Sequence, residues 1–165
     1  MPDTPSHLSE RMLSEGHKTL AFFRLLTPEQ WGTTIYTEGS EWAVRDVLAH
    51  FVAAESGVTR LVESILAGGA GTPEDFNLNA YNERKVSGLK GVSAEELLAQ
   101  FAALREKSAA LALRLSPEEL LKTGRHPWLG VAAIADILKM MYRHNQIHLR
   151  DIRRSISPAE RSQDG

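Results

Sequence analysis

Apolar side chains recur at helical spacing in four long stretches of the chain, and these stretches predict four amphipathic helices. They run from about residue 8 to 26, 40 to 67, 93 to 115 and 131 to 156. No window alternates apolar and polar residues over enough length to predict a strand. Four such helices bury their apolar faces best against one another, so we expect an all-α, four-helix bundle.

Local start and stop signals refine this outline. Thr27–Gln30 and Ser116–Glu119 each place a capping hydroxyl before a proline, and each predicts a short helix after a long one. A glycine run followed by proline, residues 68–73, ends the second long helix, and Ser93 begins the third with a capping box. The connection between helices two and three is therefore long, and we expect the bundle to depart there from simple up-down order.

Composition limits the function classes. With 165 residues, 42% of them hydrophobic and 24% charged, the chain is expected to form one domain over residues 1–165, with a polar tail from about residue 157. A net charge of −2 and a pI near 6.3 argue against a nucleic-acid or membrane partner. There is no signal sequence and no cysteine, so we expect a cytoplasmic protein. Any thiol chemistry would need a thiol supplied by a small molecule.

Two histidines on the fourth helix are the strongest chemical signal. His144 and His148 are four residues apart, so both rings share one helix face and can bind one divalent metal ion. The alternative is a pair of core or edge histidines with ordinary partners. His50 lies within the apolar pattern of the second helix, and in a bundle it can converge with the other two. His126, in the loop before the fourth helix, is expected to be exposed, and Trp128 to pack over the start of that helix.

Three imidazoles leave at least one coordination position open, as in a catalytic or ligand-exchanging metal site. Without a thiolate ligand, zinc or nickel is expected, with iron and manganese as alternatives. Nearby carboxylates would fix the histidine tautomers. Four of them are candidates, and the sequence does not choose among Asp46, Glu55, Asp136 and Asp151.

Two blocks of the chain resemble the DinB-like proteins, also called the DinB/YfiT superfamily. Residues 42–50, WAVRDVLAH, resemble that family's helix-two signature, and residues 144–152, HNQIHLRDI, resemble its helix-four motif. The resemblance implies a four-helix bundle with an unusual connection, a divalent metal on His50, His144 and His148, and often a homodimer. Mycothiol-dependent maleylpyruvate isomerases carry a glutamate where this chain has His144, so the three-histidine set resembles the general branch of the family.

The resemblance supports three functional hypotheses. The first is a metal-dependent transferase or isomerase that uses a low-molecular-weight thiol such as mycothiol or bacillithiol, with metal-assisted hydrolysis as a variant. The second is a non-catalytic, stress-associated protein that binds metal or a small ligand. The third is a vestigial site. Under the first hypothesis, a set of polar side chains would hold the thiol or substrate: Tyr36, Asn77, Asn79, Asn82 and Arg84.

Overall fold

The computed structural model describes residues 3–156, which form four long helices, three short helices and two β-hairpins. The predicted polar tail from residue 157 lies outside the described residues. In chain order, the elements are α1 Pro5–Arg24, α2 Pro28–Trp31, β1 Thr34–Tyr36, β2 Trp42–Ala43, α3 Val44–Leu66, α4 Leu78–Gly88, α5 Ala94–Arg114, α6 Pro117–Leu120, β3 Thr123–His126, β4 Gly130–Ala133 and α7 Ile134–Ile156.

The four long helices confirm the predicted four-helix bundle. Helix α1 packs against α5 and α7, and α3 packs against the same two helices. Consecutive long helices α1 and α3 therefore lie diagonally across the bundle, as do α5 and α7. The long connection between α3 and α5 contains α4 and joins helices that are neighbours. Phe51, Glu55 and Thr59 on α3 contact Phe101, Arg105 and Ser108 on α5 in the same order, so these two helices run parallel. The departure from up-down order at the α3–α5 connection, which the sequence predicted, is therefore confirmed.

Two β-hairpins stand where the sequence predicted only irregular connections, so that prediction was wrong. β1 pairs with β2, and β3 pairs with β4 from Thr123 opposite Ala133 to His126 opposite Gly130, both antiparallel. Strands of two to four residues are too short to show an alternating pattern. The hairpins also take the first residues of the predicted long helices, so α3 begins at Val44 and α7 at Ile134.

The hairpins reveal a repeated order of elements. A long helix, a short helix with a capping box, a hairpin and a second long helix follow one another twice: α1–α2–β1–β2–α3 and α5–α6–β3–β4–α7. Helix α4 lies in the connection between the two units. Tyr36 and His126 are the last residues of β1 and β3, so they occupy corresponding places in the two units.

Strand β3 has a second backbone neighbour besides β4, in residues 70–72, which follow α3. Arg125 donates its backbone N–H to the Ala70 carbonyl at 2.9 Å, and its carbonyl accepts from the Thr72 N–H at 2.8 Å. Gly71, between them, has a φ of +94°, and a Cβ there would lie 2.4 Å from the Arg125 nitrogen. Only glycine fits this close approach, and the contact fixes the strand that carries His126.

The bundle core consists of two apolar clusters separated along the helix axes by a buried polar layer. One cluster holds Leu8, Met12, Val62, Ile65, Ala109, Leu111, Ile134 and Ile137 among others. The other holds Leu20, Phe23, Val47, Leu48, Phe51, Phe101, Leu149 and Ile152 among others. The polar layer between them contains Glu15, Thr19, Glu55, Thr59, Arg105, Ser108 and Asn145.

Arg105 organises this layer, with a side chain that is 2% exposed. Its Nε and Nη2 donate to the two Glu55 carboxylate oxygens at 2.8 Å each. Its Nη1 donates to the Met12 carbonyl at 3.1 Å, and Nη2 also donates to Asn145 Oδ1 at 2.6 Å. A Cβ on Gly16 would lie 2.8 Å from Arg105 Cγ, so the side chain needs the space that glycine leaves. The arginine therefore joins α1, α3 and α7 from its position on α5.

Candidate metal centre

Three histidine rings from α3 and α7 meet at one point. His144 Nε2 lies 2.9 Å from His50 Nε2 and 3.0 Å from His148 Nε2. One ring nitrogen from each residue lies within 4.8 Å of the others. The helical spacing of four places His144 and His148 together, and the packing of α3 against α7 brings His50 to them. The structure therefore assembles the three histidines that the sequence singled out.

The electrostatics of the three rings fit a metal ion. Burial lowers the pKa of His50 to about 3 and that of His148 to about 4, with the Asp151 charge opposing the shift at His148. Burial, followed by the charges of His50 and His148, lowers the pKa of His144 well below its usual range. The rings are therefore neutral near pH 7. Neutral imidazole nitrogens bound to zinc at about 2.0–2.1 Å lie roughly 3 Å apart, so this cluster can hold a divalent ion.

The second ring nitrogen of His50 is Nδ1, which takes no part in the contact with His144. His50 Nδ1 is buried, and within residues 3–156 it has no hydrogen-bond partner. An unpaired buried polar atom costs about 1–3 kcal/mol. An ion bound at Nε2 would leave this cost in place, because Nδ1 would then carry the ring proton without an acceptor. The ring is held in place by packing, with the Trp42 ring centred 5.1 Å away.

His148 is oriented by a hydrogen-bonded chain that begins at a carboxylate. The Tyr36 hydroxyl donates to Asp151 Oδ2 at 2.6 Å and lies 2.7 Å from His148 Nδ1. Because the hydroxyl proton goes to the carboxylate, the Tyr36 oxygen accepts from His148 Nδ1–H. That leaves the lone pair of His148 on Nε2, which faces the other histidines. Burial and Asp151 raise the pKa of Tyr36, so the hydroxyl keeps its proton.

The other three candidate carboxylates have different partners. Asp46 accepts from the Ala43 N–H at 2.9 Å at the start of α3, Glu55 pairs with Arg105, and Asp136 lies 3.2 Å from Lys139 Nζ. Asp151 is thus the carboxylate that reaches the histidine cluster, and it does so through a tyrosine on the first hairpin.

Replacing Tyr36 with phenylalanine is expected to weaken metal binding about 10- to 100-fold, the usual effect of losing a group that orients a metal ligand. The substitution removes the acceptor of His148 Nδ1–H and leaves Asp151 without its donor. Competition with a chromophoric chelator measures the affinity. Tyr81→Phe is the matched control, because Tyr81 also lines the cavity but has no contact with the histidines in the described hydrogen bonds. Equal affinities for the two variants would contradict this assignment.

The histidine cluster opens into a cavity of about 1250 Å³. Of the five residues predicted to hold a thiol or substrate, Tyr36, Asn79 and Asn82 line this cavity. Asn77 does not, because its side-chain oxygen caps α4 by accepting from the Ala80 N–H at 3.0 Å. Arg84 lines a separate cleft between α3 and α4, with its guanidinium over the Tyr81 ring. Ligand binding by Tyr36, Asn79 and Asn82 stays a prediction.

His126 also lines the cavity, and the sequence-based expectation that it is exposed was wrong. The residue is 9% exposed because it ends strand β3, which packs beside α3 and α7. Trp128, in the turn that follows, is 57% exposed and lines the cavity, and its packing over the start of α7 stays a prediction. The hairpin could have been predicted from Gly130, which follows a loop of three residues. Its φ of +75° is typical of the residue that follows such a hairpin loop.

The metal-free protein is expected to lose stability as the pH falls below the ordinary histidine value of 6.5. Burial lowers the pKa values of His50 and His148, so the unfolded chain binds more protons than the folded one, and the free energy of unfolding rises with pH. The contribution is complete above pH 6.5 and is lost as the pH falls toward about 4 and about 3. Urea titrations of chelator-treated protein measure it. A His50→Ala variant should show a shallower pH dependence.

Within the described part of the chain, no helix is both long enough and apolar enough to cross a membrane. A search of the curated proteins found no match. Three solved structures share the fold over most of their length and this chain's length. YfiT from Bacillus subtilis, described as a probable metal-dependent hydrolase with an unusual four-helix bundle topology, is 20% identical, with a TM-score of 0.72 over 90% of this chain and 83% of YfiT.

The other two structures are uncharacterised proteins. One, from Escherichia coli UTI89, is 16% identical, with a TM-score of 0.72 over 97% of this chain and 96% of its own. The other, from Clostridium difficile 630, is also 16% identical, with a TM-score of 0.65 over 93% and 96%. The family model of the DinB superfamily matches residues 13–152, which include all three clustered histidines. The chain therefore belongs to the DinB superfamily.

Proposed function

We propose that this protein is a divalent-metal-dependent enzyme that activates a low-molecular-weight thiol, such as mycothiol or bacillithiol, for a transferase or isomerase reaction. The observation that carries the proposal is the position of three neutral imidazoles, with converging Nε2 atoms, on the wall of a cavity of about 1250 Å³. Zinc or nickel suits this nitrogen set, and iron and manganese are the alternatives. When bound, such an ion lowers the pKa of a coordinated thiol or water and polarises a carbonyl.

The size of the cavity supports a reaction between two molecules. Pockets for a single drug-sized ligand usually measure about 300–1,000 Å³. The larger volume found here has room for a thiol and an electrophile together. The chain has no cysteine, so a sulfur nucleophile would have to enter with a cosubstrate. Asn79 and Asn82, on α4 at the cavity wall, are proposed to hold the polar part of one of the two molecules.

The carboxylates around the cavity favour a thiol over water as the nucleophile. Hydrolysis by a bound water works best with a free general base beside it. The two shielded carboxylates that line the cavity are already engaged, Glu55 with Arg105 and Asp151 with Tyr36. A thiol is much more acidic than water and needs less help to lose its proton. The engaged carboxylates therefore suit thiol activation.

Metal-dependent hydrolysis is the second candidate, because YfiT, which shares the fold, is described as a probable metal-dependent hydrolase. A non-catalytic, stress-associated binding protein is the third. For each candidate, we propose a cytoplasmic homodimer that acts on small molecules. The net charge of −2 gives no sign of a nucleic-acid or membrane partner.

Activity assays with each combination of metal and thiol test these candidates. Chelator-treated protein would be loaded in turn with zinc, nickel, iron or manganese. It would then be assayed with monochlorobimane in the presence and absence of mycothiol or bacillithiol, and with 4-nitrophenyl acetate alone. Turnover that needs both metal and thiol supports the proposal, and ester cleavage with metal alone supports the hydrolase. Tight metal binding without turnover supports the binding protein. A His144→Ala variant controls for metal bound elsewhere. A wild-type protein that takes up no metal would overturn both enzyme candidates and the metal-binding form of the third.

A further inference from the structure

His126 has one ring nitrogen occupied by the backbone of its own hairpin. Its Nδ1 lies 3.1 Å from the backbone nitrogen of Trp128 and 3.1 Å from that of Leu129. Both partners are N–H donors, so Nδ1 can only accept. An accepting Nδ1 carries a lone pair, and the proton of the neutral ring is therefore on Nε2. The turn thus fixes the tautomer, in agreement with burial, which lowers the pKa of His126 and keeps the ring neutral.

The Nε2–H of His126 faces the cavity without a protein acceptor. The hydrogen bonds formed within residues 3–156 use Nδ1 of this ring and not Nε2. Nε2 is also not among the enclosed unpaired polar atoms of the described chain, so it is reached from the cavity that His126 lines. A ring that presents N–H cannot ligate a metal through that nitrogen. His126 also lies outside the group of three histidines whose ring nitrogens are within 4.8 Å of one another.

We propose that His126 donates its Nε2–H to an oxygen of the molecule bound in the cavity, and that it thereby selects substrates with a carbonyl or carboxylate oxygen. This proposal rests on the proposed function only for the metal-binding group that the same molecule carries beside that oxygen. The cavity then presents two kinds of imidazole: three with lone pairs that face a common point, and one with a fixed donor. A molecule that fits both has a metal-binding atom and, separately, an acceptor oxygen.

The second hairpin gives His126 a place that corresponds to Tyr36 in the first. Each is the last residue of the first strand of its hairpin, and each lines the cavity. Tyr36 uses its hydrogen bonds on His148 and Asp151. His126 forms hydrogen bonds to the protein only through Nδ1, which leaves Nε2 for a ligand. The β3 contact with Gly71 holds the donor in position before a ligand arrives.

The tautomer can be read directly, with or without metal. Two-dimensional ¹H–¹⁵N spectra that correlate ring protons with ring nitrogens distinguish a protonated Nε2 from a protonated Nδ1. We expect His126 to be neutral with the proton on Nε2 in both metal-free and zinc-loaded protein at neutral pH. A proton on Nδ1, or a charged ring, would overturn the proposal.

Ligand selection is tested with two thiols of equal chain length, 3-mercaptopropionate and propanethiol, which end in a carboxylate and a methyl group respectively. Titrations of wild type and variants would be followed at the Trp128 and Leu129 backbone amide resonances, and in wild type also at the His126 Nε2–H resonance, in zinc-loaded and metal-free protein. We expect a preference for 3-mercaptopropionate of about 3- to 10-fold, the usual value of one hydrogen bond. His126→Asn keeps an acceptor for the turn N–H groups but lacks a donor at the Nε2 position, so the preference for 3-mercaptopropionate should disappear. His126→Gln places an amide N–H near the Nε2 position and should restore part of it.

The outcomes separate this proposal from the proposed function. An equal preference in wild type and His126→Asn would overturn the donor role of His126, whatever the metal result. If wild type takes up no zinc, the proposed function fails, and the metal-free titration and the tautomer still decide the role of His126. For the variants, the Trp128 and Leu129 amide resonances report whether the hairpin remains folded.

Discussion

Metal affinity is expected to fall by more than about 100-fold when His50 is replaced with alanine. Even the loss of a group that only orients a metal ligand lowers metal affinity about 10- to 100-fold. The residue supplies the α3 side of the cluster, and its Nε2 lies 2.9 Å from His144 Nε2. The two remaining ligands, both on α7, could still contact an ion, but α3 would no longer supply a ligand to it. Thermal unfolding with and without zinc or nickel, together with chelator competition, measures the loss.

His17→Ala is the matched control for this experiment. His17 lies on α1 and is exposed, so its removal takes away a histidine without touching the cluster. The metal-induced rise in melting temperature should be unchanged in this variant and absent in His50→Ala. The His50 variant should still fold, because it loses a buried ring whose Nδ1 has no partner among the described residues. Wild-type metal affinity in His50→Ala would contradict the assignment.

The second large effect is expected in the polar layer, where Arg105→Met should lower the free energy of unfolding by about 3–5 kcal/mol. Glu55 would then be a buried carboxylate without its bidentate partner. The Met12 carbonyl and Asn145 Oδ1 would lose their donors as well. Urea denaturation at neutral pH, followed by circular dichroism, measures the change as a lower midpoint with a similar slope.

Two further variants test the cause of this loss. Glu55→Leu combined with Arg105→Met removes both charges, and it should recover much of the stability lost by the single variant. Glu106→Gln changes an exposed charge next to Arg105 and should shift stability by less than about 0.5 kcal/mol. A loss below about 1 kcal/mol in Arg105→Met would mean that water or a rearranged partner satisfies Glu55.

The sequence predicted the parts of this molecule that depend on local periodicity. The apolar repeat gives the four helices, and a spacing of four places His144 and His148 on one face. His50 was indicated by its place in the apolar pattern of the second helix, and the resemblance of residues 42–50 to a family signature supported it. These features could be read because neighbours along the chain remain neighbours in a helix.

The features that the sequence did not predict depend on contacts between distant segments. Tyr36 and His148 are 112 positions apart, so nothing local selects Asp151 over the other three carboxylates. An arginine within a helix usually belongs to a solvated face, and the burial of Arg105 is decided by the space at Gly16 and the charge of Glu55. The hairpin that buries His126 is too short to alter the hydropathy pattern.

The twofold recurrence of a helix, a short helix, a hairpin and a helix divides the site between the first and second portions of the polypeptide. His50 and Tyr36 come from one portion, and His126, His144 and His148 come from the other. An ion bound to all three clustered nitrogens would link α3 to α7. Occupancy would then favour the closed bundle by mass action. The resistance of this protein to heat and proteolysis would report how much free metal its surroundings contain.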